Sequence, residues 1–297
     1  MPRDTRFAGA FTAVITPFTA DGSAIDLPRL DEHIDFQGKG GVRGIVVAGT
    51  TGESPTLTEH EYPRLIERVA QAAKKRGMLT IAGTGSNSTA HAIELQKIAL
   101  DAGADATLSV NPYYNKPTQE GLYRHFTAIA DAARLPIVLY NIPGRTGVAI
   151  TPATMQRLAR HENIVANKEA TGSTDSATEI AIRCPELALL SGDDSMTLPF
   201  AAIGAVGVVS VVSNLVPAKV SGLCAAFLKG DWAGALGLHR ELFDLCRAMF
   251  LETNPIPIKA AMKLLGRDTG TLRLPMCEAT EATVGAVREA LARAGLR

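Results

Sequence analysis

A single lysine at the end of an apolar run could provide a nucleophilic amine. Lys168 directly follows Ile164–Asn167, a run typical of a buried strand. An exposed lysine has a pKa of about 10.4 and is protonated at neutral pH, whereas burial can lower that pKa to about 7 to 8 and leave an amine that forms Schiff bases with carbonyl compounds. The alternative is a solvated loop lysine that pairs with Glu169. Taken alone, Lys168 is compatible with either role.

Side chains that could assist such an amine follow other apolar runs. Tyr140 could carry a proton to and from the carbinolamine, and Arg145, close behind it, could bind a carboxylate through two hydrogen bonds. Thr50 and Thr51, flanked by glycines, could offer hydroxyl and backbone N–H groups to a small carboxylate. The ordinary alternatives are a core tyrosine, a surface arginine and a simple turn. These residues are therefore candidates, together with Lys168, for a Schiff-base site.

The sequence argues against a metal, a phosphorylated substrate and a dinucleotide. The six histidines show no HExxH or other ligand spacing, and most of them fall in predicted helices. Asp193 and Asp194 lie near the position where phosphate-binding barrels keep an anion loop, and their charges would repel a phosphate. The glycine-rich turn Gly83–Ser88 lacks the third glycine of the dinucleotide fingerprint. We therefore expect no catalytic metal and no bound cofactor.

The composition indicates a globular protein that binds neither nucleic acid nor membranes. The chain has 297 residues, 46% of them hydrophobic and 20% charged, and thirty basic side chains balance thirty acidic ones. The four cysteines are too sparse for a disulfide framework, and no apolar signal core follows the first residues, so we expect a reduced, cytoplasmic protein. The uncharged stretch Ser195–Ala218 is long enough to cross a bilayer, but prolines and glycines interrupt it.

The elements that must position the candidate residues alternate between strand and helix. Segments of helical period, such as Thr58–Lys75, Thr89–Asp101 and Thr118–Arg134, separate apolar runs, and the first opens with a Thr-x-x-Glu capping box. The runs are nearly continuous in apolar character, as in a parallel sheet covered on both faces. Eight occur, near Ala10–Thr16, Gly44–Ala48, Leu79–Gly83, Ala106–Val110, Ile137–Asn141, Ile164–Lys168, Leu187–Ser191 and Val206–Val212. We therefore predict an α/β fold, a closed (β/α)8 TIM barrel, in preference to an open doubly wound sheet.

Helical character continues after the eighth run. From about Val216 to Arg297 the sequence is typical of helices throughout, including the amphipathic segment Glu278–Ala294. We predict a catalytic barrel over residues 1–224 and a C-terminal helical extension over residues 225–297. Catalytic groups of such a barrel lie at the carboxyl ends of its strands, which is where the lysine, tyrosine and threonine candidates fall.

Six motifs follow one another along the chain. They are GTTGES at 49–54, NPYYNKPTQEGLY at 111–123, YNIPGRTG at 140–147, KEATG at 168–172, SGDD at 191–194 and ETNPIPIK at 252–259. In these motifs the chain resembles the dihydrodipicolinate synthase family of pyruvate-dependent class I aldolases, over nearly its whole length. The resemblance implies a lyase of aldolase type that condenses pyruvate with L-aspartate 4-semialdehyde to 4-hydroxy-tetrahydrodipicolinate, at the entry to diaminopimelate and lysine biosynthesis.

The resemblance also implies roles for the catalytic candidates. Lys168 would form the Schiff base with pyruvate, and the resulting enamine would attack the aldehyde before cyclisation and release. Tyr140, Thr50 and Tyr114 would relay protons, with Tyr114 contributed by the neighbouring subunit of a tight dimer. No cofactor beyond the covalent lysine adduct is implied.

Substrate-binding roles follow from the same resemblance. Thr51 would hold the carboxylate of pyruvate, and Gly192 and Val209 would line the pyruvate pocket with their backbone. Arg145 would receive the carboxylate of the semialdehyde at the entrance. The family is typically a homotetramer built as a dimer of dimers.

A regulatory pocket for L-lysine is only partly matched. Ser54, Asn87 and Tyr113 stand where relatives that bind lysine use such residues, but His91 falls where lysine-sensitive bacterial relatives place a glutamate against the ligand's ammonium group. An imidazole cannot replace that anion, and Glu59 is a less favoured substitute. We expect weak inhibition by lysine or none.

Two other functions compete with the synthase. N-acetylneuraminate lyases and 2-keto-3-deoxy sugar acid aldolases share the barrel, the lysine and the tyrosine, but they generally lack an arginine after the YNIP stretch, where this chain has Arg145. A non-catalytic barrel that only binds a ligand would have to keep every reacting group for no purpose. The sequence favours the synthase over both.

Overall fold

Eight parallel strands form a closed barrel in which each strand pairs with its neighbours in chain order and the last pairs with the first. The computed structural model describes residue 2 and residues 4–296; Met1, Arg3 and Arg297, which the predicted domains include, lie outside the described residues. The strands are β1 (Gly9–Ala13), β2 (Gly44–Val47), β3 (Leu79–Gly83), β4 (Ala106–Val110), β5 (Ile137–Asn141), β6 (Ile164–Glu169), β7 (Ala188–Ser191) and β8 (Gly207–Ser210). The predicted (β/α)8 barrel is confirmed.

Helices cover the outside of the barrel and continue beyond it. They are α1 (Leu27–Lys39), α2 (Glu61–Lys74), α3 (Thr89–Asp101), α4 (Gln119–Ala132), α5 (Pro143–Thr146), α6 (Pro152–Leu158), α7 (Thr174–Arg183), α8 (Thr197–Ala201), α9 (Pro217–Leu228), α10 (Trp232–Ala248), α11 (Ile256–Leu264) and α12 (Glu281–Arg293). None of the helices within the described ranges has the length and apolar character needed to cross a membrane.

The predicted strand boundaries are closest to the observed ones where both faces of a strand are buried. The bounds of β3, β4 and β5 coincide with the predicted runs, and every residue of β5 and β6 is buried. The eighth apolar run predicts an extended chain as far as Val212, but β8 ends at Ser210. The carboxylate of Asp194 accepts the N–H groups of Val211 and Val212 at 2.9 and 3.1 Å, and these bonds turn the chain into a short 3-10 helix.

Side-chain hydrogen bonds also set the helix starts. The capping box is present: the Glu61 N–H donates to Thr58 Oγ1 (3.1 Å) and the Thr58 N–H donates to Glu61 Oε2 (3.0 Å), so α2 starts three residues after the predicted position. In the last helix Thr280 Oγ1 caps the Thr283 N–H at 3.3 Å, and α12 begins at Glu281 instead of Glu278.

The C-terminal region is less helical than the sequence predicts. Helix α9 packs against β1, α10 packs against α9 and α12, and α11 packs against α12. Residues 265–280 contain no helix, and instead run back over the barrel, where Thr269 Oγ1 donates to the carbonyl of Phe18 (2.9 Å). Other side chains of the segment do the same, as when Arg273 Nε donates to the carbonyl of Gly22 (2.9 Å), and these tertiary contacts outweigh the local preference for a helix. The predicted domain boundary at 224/225 falls inside α9.

Candidate active site

Lys168 and Tyr140 face each other at the carboxyl ends of adjacent strands. Lys168 lies near the end of β6 and pairs in register with Tyr140 on β5. The Lys168 Nζ atom lies 3.9 Å from the centre of the Tyr140 ring, and the two residues are 7% and 6% exposed. The lysine is therefore a buried residue of the barrel mouth, and its solvated-loop alternative is wrong.

Burial favours the uncharged form of both groups. Burial lowers the pKa of the Lys168 amine to about 7; the carboxylates of Asp194 and Asp193 oppose that shift, and the guanidinium of Arg145 adds to it. Burial also raises the pKa of the Tyr140 phenol well above its usual range. The site therefore combines an amine that can attack a carbonyl with a phenol that keeps its proton.

A glycine on the next loop makes room for the lysine side chain. The Gly192 N–H donates to the carbonyl of Glu169 at 2.7 Å, which fixes the loop after β7 against β6. A Cβ atom at Gly192 would lie 3.2 Å from Lys168 Cγ and 2.7 Å from Ala170 Cβ. Val209, buried in β8, belongs with Tyr140 to the apolar cluster inside the barrel. Of the two residues predicted to line a pyruvate pocket, Val209 thus lies inside the barrel and Gly192 lies beside the lysine.

The loop after β2 presents the two threonines. Within residues 4–296, the N–H groups of Thr50 and Thr51 have no hydrogen-bond acceptor, whereas the N–H of Gly52 donates to the carbonyl of Gly49 (3.1 Å). Thr16 Oγ1 donates to the carbonyl of Gly52 at 2.7 Å and holds the turn. Thr51 is buried and Thr50 is half-buried. The loop therefore has unused donors of the kind that an anion requires.

Arg145 lies at the entrance, on the short helix α5. It is exposed, and its Nη2 donates to the main-chain carbonyl of Asn254 at 3.1 Å. The loop that carries it is held by buried amides: Asn141 Oδ1 accepts the N–H of Ile150 (2.9 Å), and Asn111 Nδ2 donates to the carbonyl of Val148 (2.9 Å). The guanidinium is thus fixed at the rim with most of its donors available.

The sequence patterns miss one residue of the site, Asn254. Asn254 is buried, and its Nδ2 donates to Thr51 Oγ1 at 2.9 Å while its carbonyl accepts Arg145. It stands in the motif ETNPIPIK, which contributes to the family resemblance but implies no role for the asparagine. Five residues later, Lys259 Nζ pairs with Glu53 Oε1 at 2.5 Å, and both side chains are buried. Two residues of the threonine loop are thus held by the C-terminal region.

Tyr114 is not brought to the lysine within one chain. It is 90% exposed with a φ of +73°, an uncommon backbone conformation for a residue other than glycine. No hydrogen bond or ring contact among the described residues joins it to Lys168 or Tyr140. Its assignment to the site of a neighbouring subunit stays a prediction.

The four residues of the expected lysine pocket come from three stretches of the chain, at residues 54, 87–91 and 113. Ser54 begins a short 3-10 helix, Tyr113 is 42% exposed, and the carbonyl of Asn87 accepts Asn115 Nδ2 at 2.9 Å. His91 is exposed, and its Nδ1 lies 3.3 Å from Glu94 Oε2. The imidazole thus already faces a carboxylate of its own helix, and the pocket stays a prediction.

No group of three or more histidine, cysteine or acidic side chains within the described residues is arranged to hold a metal ion. All four cysteines are free thiols, and three of them are buried.

The chain is similar over nearly its whole length to proteins of one family. A model of the dihydrodipicolinate synthetase family matches residues 6–294. The chain is 51% identical over 276 residues to a 4-hydroxy-tetrahydrodipicolinate synthase of Geobacter sulfurreducens, covering 93% of this chain and 94% of that protein. It is similar to the structure of the 4-hydroxy-tetrahydrodipicolinate synthase of the methanotroph Methylacidiphilum fumariolicum, with 46% identity, a TM-score of 0.95, and 97% and 96% of the two chains covered. A lysine-bound DHDPS structure from Cyanidioschyzon merolae gives 42% identity, a TM-score of 0.96, and 99% and 100% coverage.

Proposed function

The chain belongs to the dihydrodipicolinate synthetase family, and we propose that Lys168 carries out its reaction, the condensation of pyruvate with L-aspartate 4-semialdehyde, through a Schiff base. The enzyme is a lyase of class I aldolase type in diaminopimelate and lysine biosynthesis. The observation that carries the role of Lys168 is a buried amine, with a pKa lowered to about 7, at the mouth of the barrel and 3.9 Å from the Tyr140 ring. Because the matched relatives are synthases, they favour this activity over that of the sugar-acid lyases and over a non-catalytic barrel.

In the first half-reaction, the neutral Lys168 amine attacks the keto carbon of pyruvate. The new C–N bond forms as the carbonyl oxygen takes up a proton, which Tyr140, a phenol that keeps its proton beside the amine, would donate. Loss of that hydroxyl as water gives the iminium, and loss of a methyl proton then gives the enamine. Thr51 would bind the pyruvate carboxylate, with the unused N–H groups of the same loop.

In the second half-reaction, the enamine carbon attacks the aldehyde carbon of the semialdehyde. Arg145, at the rim, would bind the carboxylate of that substrate, because a guanidinium offers two parallel donors to a carboxylate. The new oxyanion takes up a proton. The amino group of the condensed product then attacks the iminium carbon, closes the ring and releases the Lys168 amine, so that one water leaves overall and no bound cofactor is consumed.

Assembly and location complete the proposal. We propose a homotetramer, a dimer of dimers, in the cytoplasm, with Tyr114 completing the proton relay of the neighbouring subunit. Mixing Tyr114→Phe subunits with Lys168→Ala subunits should then restore part of the activity, because one site of each mixed dimer keeps both groups. Hybrids that never exceed the sum of the parents would show that Tyr114 acts within its own chain.

Reductive trapping tests the role of the lysine. Pyruvate plus borohydride should add a stable adduct to Lys168, and peptide mapping should find it there and not on Lys259, which is also buried. Lys168→Ala should lose both the adduct and nearly all condensation while its circular dichroism and melting temperature stay near those of the wild type. A label on another lysine, or none, would overturn the mechanism.

A further inference from the structure

Asn254 contacts both carboxylate-binding regions of the proposed site. The residue is only 5% exposed, its Nδ2 donates to Thr51 Oγ1 at 2.9 Å, and its carbonyl accepts Arg145 Nη2 at 3.1 Å. We propose that Asn254 is a positioning residue whose amide orients the Thr51 hydroxyl so that the hydroxyl proton is donated to the pyruvate carboxylate. The inference rests on the proposed function, because it concerns the binding of that substrate.

The direction of the hydrogen bond is what matters for this role. A hydroxyl has one proton to donate, and a carboxylate can only accept. Because Asn254 Nδ2 is the donor to Thr51 Oγ1, the threonine's own proton is not used in that bond and is free for the substrate. The N–H groups of Thr50 and Thr51 have no acceptor within residues 4–296, so the loop keeps three donors available for one anion.

A second contact joins the segment that carries Asn254 to the same loop. Lys259, in the same C-terminal segment, pairs with Glu53 Oε1 at 2.5 Å and donates to the carbonyl of Thr271 at 2.7 Å. Thr51 and Glu53 are two residues apart, and so two points of the loop are tied to one segment from outside the barrel. This double link limits how far Asn254 can move relative to Thr51, as orientation of a substrate donor requires.

The two contacts of Asn254 can be separated by mutation. The contact with Thr51 uses the side chain, whereas the contact with Arg145 uses the main-chain carbonyl, which every substitution keeps. A side-chain change should therefore weaken binding of pyruvate and leave the semialdehyde carboxylate little affected. A residue that only fills space would affect both substrates alike.

Three variants test the proposal. Asn254→Ala should lower the rate of borohydride trapping at subsaturating pyruvate by roughly tenfold and raise the KM for pyruvate by a similar factor, which is the usual effect of losing one hydrogen bond. The KM for the semialdehyde should change less than about threefold. Asn254→Asp keeps the size of the side chain but can only accept, so it should take the Thr51 proton and repel the substrate, with a larger loss than the alanine variant. In a Thr51→Val background, Asn254→Ala should cause little further loss.

A control variant tests whether the effect is specific to the site. Asn163→Ala, which removes an amide donor to the carbonyl of Ala130 away from the site, should leave trapping unchanged. The proposal is wrong if both KM values rise equally, if Asn254→Asp binds pyruvate as well as the wild type, or if the losses of Asn254→Ala and Thr51→Val multiply. If Asn254→Ala does not fold, the near-isosteric Asn254→Asp and the Thr51→Val variant measure the same contact. Absence of any Lys168 adduct in the wild type would instead refute the proposed function.

Discussion

The amine of Lys168 predicts the pH dependence of pyruvate capture. With a pKa of about 7, about half of the amine is neutral at pH 7, compared with roughly 1 in 2,500 for an ordinary lysine with a pKa of about 10.4. The neutral form is the nucleophile and exists above the pKa, so the capture rate should rise with pH and level off. From pH 6 to pH 8 we expect an increase of about tenfold, whereas an ordinary lysine would give about a hundredfold increase with no plateau.

Charge variants near the lysine should move this midpoint in opposite directions. The carboxylate of Asp193 stabilises the ammonium form, so Asp193→Asn should shift the midpoint to lower pH. The guanidinium of Arg145 disfavours the ammonium form, so Arg145→Met should shift it to higher pH. Glu120→Gln, on the outer helix α4, serves as the matched control and should leave the midpoint unchanged.

The assay is cyanoborohydride trapping of pyruvate between about pH 5.5 and 9, followed by intact-protein mass spectrometry. The reductant is used at concentrations where the rate no longer depends on it, so that capture is the step observed. A rate that still rises tenfold per pH unit at pH 9 would refute the lowered pKa. A midpoint that rises in Asp193→Asn would refute the electrostatic account.

Three further predictions concern packing, stability and regulation. Gly192→Ala should reduce pyruvate capture at least tenfold, because its Cβ would lie 3.2 Å from the Cγ atom of Lys168. The control Gly237→Ala, which has open space around its Cβ position, should leave capture unchanged. Equal capture rates in the two variants would contradict this prediction. Lys259→Met leaves its buried carboxylate partner without a counter-ion and should lower the free energy of unfolding by about 3 to 5 kcal/mol. Lys39→Met, in an exposed pair, should cause no measurable loss. Urea unfolding measures both variants, and similar losses would be a contrary result. Because His91 is no anion, L-lysine should inhibit only with a midpoint above about 1 mM, which corresponds to roughly 4 kcal/mol of binding. A lower midpoint in initial-rate titrations at subsaturating pyruvate would show a working pocket.

The barrel can be predicted from the sequence because its strands are buried on both faces. Burial of both faces makes each strand a continuous apolar run, and the first polar residue after the run marks its carboxyl end. The sequence therefore places Lys168 and Tyr140 at the same rim, since neighbouring parallel strands end at the same edge. The strand predicted to reach Val212 ends too late for the same reason. Val211 and Val212 are apolar, but the carboxylate of Asp194 accepts their N–H groups and turns the backbone out of the strand.

The contacts of the C-terminal segment cannot be predicted in the same way. Asn254 and Thr51 are separated by 203 residues, and neither periodicity nor local propensity carries information on such a contact. The sequence of residues 265–280 predicts helix, yet three side chains of this segment donate hydrogen bonds to carbonyls of the loop after β1. Tertiary hydrogen bonds of this kind override local preference because each unpaired buried backbone group is costly.

The C-terminal extension therefore contributes to the proposed active site, although it lies beyond the barrel strands. Lys259 pairs with Glu53 inside the protein, and without that partner a buried carboxylate would lack a counter-ion at the base of the threonine loop. Asn254 sets the hydroxyl of Thr51 from the same segment. The barrel supplies the reacting amine, and the extension fixes the donors that would hold its substrate, so changes far from Lys168 in sequence should alter pyruvate binding before they alter the chemistry of the amine.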